Sequence, residues 1–257
     1  MATRRDVIAV TIGAALSRSI APAEAQTSPK TFVLVHGAWG GGWVWRRVAD
    51  LLEKRGHKVF APTMTGVGER SHLLDAKVNL ATHVADIVNL IRWEGLDNLV
   101  LVGHSYAGMV ITGVVEQVQK AVASIVFLDA VVPNDGQAMA DIALGPAIRA
   151  ALARDEIALK PLSAAFFKVN DRDRAWVDSL CTPHPISTLT DQIVETGARE
   201  RVPKRTYVRA VGFSNAAFDV AYAQYRSASG WRAYEMPCGH YVMVDLPEQL
   251  TDILITL

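Results

Sequence analysis

The chain has 257 residues, half of them hydrophobic, with 26 Lys and Arg against 26 Asp and Glu. That length and apolar content suffice for one sizeable core, so a single domain is the economical reading. Zero formal net charge argues against nucleic acid or an anionic membrane as partner and leaves a neutral small molecule as the expected one.

The chain opens with a twin arginine in Thr3-Arg4-Arg5-Asp6-Val7-Ile8, continues through a short apolar stretch from Val7 to Leu16, and offers an A-x-A cleavage site at Ala23-Glu24-Ala25 before Gln26. The apolar stretch is too short to span a bilayer comfortably. Residues 1–25 therefore read as a Tat-type bacterial signal and residues 26–257 as the mature domain. The expected compartment is the periplasm, with no stable membrane insertion of the mature chain.

Six strands are predicted, at roughly 31–36, 58–62, 98–103, 124–129, 205–210 and 231–236. Helical spacing lies between the first four, in Trp45, Val48 and Leu52 ending at Gly56, and in Leu80, Val84, Ile87 and Ile91. Continuous apolar strands separated by helices imply a parallel sheet covered on both faces. Residues 133–203 break this rhythm with Ala, Leu and short helical patterns, and are expected to form a helical cap over the catalytic edge. In the cap, Phe166, Phe167 and Trp176 are the large apolar residues, expected mostly in its core with one or two lining a pocket.

The first strand runs into a glycine-rich loop, Val33-Leu34-Val35-His36-Gly37-Ala38-Trp39-Gly40-Gly41-Gly42-Trp43. No P-loop or dinucleotide-type glycine spacing is present, which argues against a phosphate cradle. The third strand, Leu99-Val100-Leu101-Val102, leads directly into Gly103-His104-Ser105-Tyr106-Ala107-Gly108, and Met109, Val110, Val114 and Val115 then continue at helical spacing. Strand, tight turn and helix in this order form a nucleophile elbow, in which small flanking residues let a serine hydroxyl project from the sheet. Ser105 is the expected nucleophile. Ala107 stands where the motif usually has glycine and still leaves the turn room to close.

Acyl transfer needs two backbone N–H donors at the developing oxyanion. The elbow and the glycine-rich loop offer one each, Tyr106 N–H and Ala38 N–H. Near the C-terminus, Met236-Pro237-Cys238-Gly239-His240-Tyr241 follows the last strand and makes His240 the expected general base. His36, His57, His83, His104 and His184 read as structural or surface residues. The acid is Asp129, at the end of Ser124-Ile125-Val126-Phe127-Leu128, or Asp219, in the helix after the next strand; the position just beyond that strand, Val211-Gly212-Phe213-Ser214-Asn215, carries no carboxylate. Asp129 is favoured because a strand-terminal aspartate points at the catalytic edge. Trp39, Trp43 and Tyr106 flank the expected site, with Trp39 and Trp43 as candidate pocket residues.

His36-Gly37-Ala38, Gly103-His104-Ser105-Tyr106-Ala107-Gly108, Leu128-Asp129-Ala130 and Gly239-His240, in this order and spacing, resemble the α/β-hydrolase superfamily over nearly all of residues 31–257. The likeness is greatest to its compact branch of plant methylesterases, hydroxynitrile lyases and bacterial serine esterases. It implies an α/β-hydrolase fold: a six-stranded, mainly parallel sheet, helices on both faces, and the cap inserted after the strand that follows the nucleophile. With cleavage before Gln26, the first two strands of larger family members are expected to be missing. Related haloalkane dehalogenases carry their acid where Asp129 falls, but use an aspartate nucleophile. Hydroxynitrile lyases carry a threonine at the position of Gly37 and a lysine at that of Tyr241, so lyase chemistry is not expected.

The function so implied is hydrolysis of a small neutral carboxylic ester through an acyl-enzyme on Ser105, with Asp129 and His240 completing the triad. The alternatives are a C-C bond hydrolase or lactonase using the same triad, or a non-catalytic small-ligand-binding protein of the same fold. No metal-ligand cluster is visible and no cofactor is implied. Cys181 and Cys238 are expected to remain unpaired thiols. The natural substrate and the oligomeric state are not legible in the sequence.

Overall fold

The structure, a computed structural model, describes residues 28–257. The expected signal and its cleavage site lie outside the described residues. The expected apolar runs are strands β1 (Thr31–Val35), β2 (Lys58–Phe60), β3 (Leu99–His104) and β4 (Val122–Leu128) and, after two short strands β5 (Ala158–Leu159) and β6 (His184–Pro185), β7 (Lys204–Ala210) and β8 (Trp231–Met236). All but β5 and β6 join one six-stranded sheet in the order β2-β1-β3-β4-β7-β8, with every neighbouring pair parallel. The central strand β3 is buried along its whole length, whereas β2 and β8, at the two edges, are partly exposed. A strand covered on both faces reads as an unbroken apolar run, and an edge strand does not.

Register brings the functional positions together. His104 pairs with Leu128, Leu128 pairs with Val208, and the Asp129 N–H donates to the Val208 carbonyl at 2.7 Å. The residues that follow β3, β4 and β7 therefore leave the sheet at one level, along its C-terminal edge.

Helices α1 (Arg46–Lys54), α2 (Leu80–Trp93) and α3 (Ala107–Val118) connect the early strands. Asn79 starts α2 with a capping box: its side chain accepts from the Thr82 N–H while the Thr82 hydroxyl accepts from the Asn79 N–H. The stretch from 133 to 203 holds α4 (Met139–Ile142), α5 (Gly145–Leu152), α6 (Arg174–Leu180) and α7 (Ser187–Thr190), along with β5 and β6, which pair antiparallel. This ribbon was not foreseen, because two-residue strands show no periodicity. The chain ends with α8 (Ala216–Tyr225), α9 (Val242–Asp245) and α10 (Pro247–Ile255), the last packed on α1.

One buried apolar cluster runs from the sheet into the cap, joining Phe127 and Leu101 to Phe167, Val177 and Leu189. A two-pronged ion pair adds a polar tie: Arg47 on α1 donates to both Asp173 carboxylate oxygens at 2.8 and 2.7 Å. Arg47 holds the Asp173 carboxyl well below the usual carboxylate range. Among the described residues no helix is long and apolar enough to cross a membrane.

Candidate active site

Between the end of β3 and the start of α3 the chain reverses within two residues, and Ser105 takes a left-handed φ of 57°. The turn is locked by the Ser105 carbonyl, which accepts from Gly108 N–H at 3.1 Å and Val131 N–H at 3.2 Å. A β-carbon at Gly108 would lie 1.8 Å from the Val131 carbonyl oxygen, so only glycine fits there. Ala107 is fully buried and fits without conflict.

The loop after β8 carries His240, whose Nε2 is 2.8 Å from Ser105 Oγ and whose Nδ1 is 2.6 Å from Asp129 Oδ2. Asp129 is fully buried, has φ 43°, and accepts through its other oxygen from the Ala210 N–H at 3.0 Å and from Arg209. The structure thus brings Ser105, His240 and Asp129 together. The alternative acid, Asp219, sits exposed on α8 and bonds Arg209, not His240.

His240 is fixed from several sides. Its N–H donates to the Phe167 carbonyl, and its own carbonyl accepts from His104 Nε2, both at 2.9 Å. The rings of Phe167 and Phe218 lie near-parallel to the imidazole, at 5.2 and 5.4 Å between centroids. Burial pushes His104 well below its ordinary value, so the second imidazole beside His240 stays neutral.

The glycine-rich loop abuts the serine: a β-carbon at Gly37 would approach Ser105 Cβ to 2.9 Å. Neither Ala38 N–H nor Tyr106 N–H has a protein acceptor among the described residues. His36 Nε2 accepts from the Met64 N–H at 3.0 Å, and its Nδ1–H donates to the Gly37 carbonyl at 2.8 Å. In a trans peptide the C=O and the following N–H point opposite ways. The bond that fixes Gly37 C=O therefore also aims Ala38 N–H. Burial drives His36 down to about 4, which keeps it in this neutral role.

Trp39, next in the chain, has φ 64° and is held by three bonds to the cap. Its N–H donates to His184 Nδ1 at 3.3 Å, its carbonyl accepts from Thr182 N–H at 3.0 Å, and its indole N–H donates to the Leu159 carbonyl at 2.9 Å. Tyr106 points down, fully buried, with its hydroxyl 3.1 Å from His83 Nδ1.

Residues 32–253 match the model of the alpha/beta hydrolase family. The chain belongs to that family. It is 40% identical over 238 residues to a carbendazim hydrolyzing esterase of Nocardioides sp., covering 88% of this chain and 98% of that one. It is 35% identical over 106 residues, 41% of each chain, to salicylic acid-binding protein 2 of Nicotiana tabacum. Among solved structures, an extracellular alpha/beta-hydrolase from a Paenibacillus species superposes with a TM-score of 0.78 at 23% identity, over 89% of this chain and 98% of that one. This alpha/beta hydrolase is an ester-cleaving enzyme.

The pocket at the serine of this hydrolase is narrow, about 70 Å³, and lined by Ala38, Trp39, Met139, Ala143, Leu144, Phe166, Phe167, Phe213, Asn215 and Phe218 around Ser105 and His240. Trp39 is on this wall and Trp43 is not. The chain makes a tight turn at Gly42–Trp45, and Trp43 packs edge-on against Trp176 at 5.1 Å, facing a wide groove whose lining includes Arg46, Glu53 and Glu69. Phe213, Asn215 and Phe218 escaped the sequence reading, although they lie in and just past the segment searched for the acid. Asn215 Oδ1 caps α8 by accepting from the Ala217 and Phe218 N–H groups.

Cys181 and Cys238 are free, half-buried thiols. Burial pushes them up to about 11 and about 12, so neither offers a thiolate at neutral pH. Among the described residues no group of His, Cys, Asp and Glu is placed to hold a metal ion.

Proposed function

We propose that this hydrolase cleaves a small neutral carboxylic ester or carbamate through an acyl-enzyme on Ser105. As Ser105 Oγ attacks the carbonyl carbon, His240 Nε2 takes the hydroxyl proton, and Asp129 holds Nδ1–H so that Nε2 is the free acceptor. The oxyanion is met by Ala38 N–H and Tyr106 N–H. Collapse of the tetrahedral adduct expels the alcohol, which leaves with the proton from His240. Water, deprotonated by the same imidazole, then attacks the acyl carbon and frees Ser105.

The observation that carries this reading is the relay of 2.8 and 2.6 Å from Ser105 through His240 to Asp129. The substrate class rests on the aromatic, uncharged pocket wall. It rests also on the relative that hydrolyses carbendazim, a flat methyl carbamate of a benzimidazole. Delivery to the periplasm remains part of the proposal and rests on residues 1–25 alone; the amino-terminal sequence of the exported protein, expected to begin at Gln26, tests it.

The function is tested by hydrolysis of p-nitrophenyl acetate, butyrate and octanoate, and of carbendazim, by the purified protein and its Ser105→Ala variant. Removing the hydroxyl should lower kcat by at least about 10⁴-fold, and the narrow pocket should favour acetate and butyrate over octanoate. Undiminished turnover by Ser105→Ala would overturn the acyl-enzyme.

A further inference from the structure

Arg209, the last residue but one of β7, is only 2% exposed, yet it carries a full charge next to the site. All five of its N–H donors have partners. Nη1 serves Asp129 Oδ1 at 2.7 Å and the Ala210 carbonyl; Nη2 serves the Phe213 carbonyl at 2.6 Å and Asp219 Oδ1 at 2.8 Å; Nε serves Asp219 Oδ1 at 3.0 Å. The cation thus lies between a fully buried carboxylate that touches His240 and a carboxylate that is 62% exposed.

A general base must be neutral before it accepts a proton, and a neutral imidazole brings no charge to balance a buried carboxylate. The balance has to come from elsewhere. Loss of the cation favours a proton on the Asp129–His240 couple. On the imidazole, that proton would occupy Nε2. On the carboxylate, it would turn the ring to the tautomer with Nε2 already protonated. Either way Ser105 would lose its acceptor.

We propose that Arg209 is a positioning residue acting through Asp129: it neutralises the buried carboxylate in the resting enzyme and so keeps His240 neutral, with Nε2 free, at neutral pH. Asp219 shares the guanidinium and moderates this effect from the surface. The proposal rests on the Ser105 reading above. Among the described residues no other permanent cation hydrogen-bonds to the couple. His104 on β3 is kept neutral by burial, the Tyr207 hydroxyl on β7 donates to the Ala130 carbonyl and is raised far above its ordinary range, and Cys238 on the His240 loop is pushed up to about 12. The cap contributes the Phe167 ring and the exposed Lys168, and α8 contributes Phe218 beside Asp219.

The test is kcat/KM against pH from about 5 to 9 with p-nitrophenyl acetate, for the full chain and for Arg209→Met, Arg209→Lys and Asp219→Asn. In Arg209→Met the pH of half-maximal activity should rise by about one unit or more, and Arg209→Lys should recover most of the shift. Asp219→Asn, at the exposed end, should move it the other way by a fraction of a unit. Loss of activity at every pH with an unmoved midpoint would reduce Arg209 to a structural part and overturn the proposal. Should Arg209→Met fail to fold, Asp219→Asn decides: a downward shift supports the proposal, and an unmoved or upward midpoint overturns it. Ser105→Ala, assayed alongside, separates the two readings. Surviving turnover there sinks the acyl-enzyme and this proposal with it, whereas an inactive Ser105→Ala with unmoved midpoints sinks the role of Arg209 alone.

Discussion

Along the C-terminal edge of the sheet, Ser105, Asp129 and His240 are each fixed by directional bonds to neighbouring elements: the serine carbonyl to Gly108 and Val131, the aspartate to Ala210 and Arg209, the histidine to Phe167 and His104. The cap above is built from helices of four to eight residues, and its wall residues Met139, Leu144, Phe166 and Phe167 have apolar side chains. Hydrogen bonds fix atoms in position and direction, whereas apolar contacts fix a volume. The edge accordingly sets the chemistry, and the cap sets what fits.

This division breaks if an edge residue tolerates change as well as a cap residue does. Asp129→Asn keeps the shape but loses the charge and the selected tautomer, and should lower kcat on the order of 10⁴-fold with little change in KM, measured by steady-state kinetics at pH 8. A loss below tenfold would place the acid elsewhere.

The seam between edge and cap should fail in acid. His36 and His83 are buried and driven down to about 4 from an ordinary 6.5, and His104 and His184 are lowered further by burial. The unfolded chain therefore binds more protons than the folded one between about pH 6.5 and 4. Stability is fully present above that window and is lost as pH falls through it, by on the order of 3 kcal/mol for each of His36 and His83. Denaturant midpoints at pH 8 and pH 5 read this out, and equal midpoints would contradict it.

A finer division lies within the glycine-rich loop. Trp39→Phe removes the indole bond to the Leu159 carbonyl. It should lower kcat/KM about tenfold by loosening the oxyanion loop from the cap. Trp43→Phe, on the far side, should stay within about twofold. A change in selectivity alone belongs to Phe166, 53% exposed on the pocket wall. Phe166→Ala should leave the melting temperature unchanged and raise the octanoate-to-acetate ratio by about threefold.

The sheet was legible because its central strands are covered on both faces and read as unbroken apolar runs, and the elbow because steric crowding at Gly108 admits no side chain. The strand-terminal place of Asp129 favoured it as the acid, with Asp219 in reserve; both carboxylates bond the same arginine, and Asp129 is the one against the imidazole. Arg209 itself was silent, since Lys204-Arg205-Thr206-Tyr207-Val208-Arg209 reads as a half-solvated strand and its partner Asp129 lies 80 positions away. Trp43 was misplaced because four residues of separation from Trp39 look like proximity until the tight turn at Gly42–Trp45 rotates the side chain away. Phe213, Asn215 and Phe218 reach the pocket through the path of the loop after β7, which no periodicity encodes.

Trp39, Ser105 and Asp129 all hold left-handed backbone, at φ 64°, 57° and 43°, a conformation that disfavours any residue with a β-carbon by about 1–2 kcal/mol. Glycine would relieve each of them, and at 105 or 129 it would also abolish turnover. A library of variants screened for heat resistance alone would drift toward inert protein, so this active site persists only where activity itself is selected.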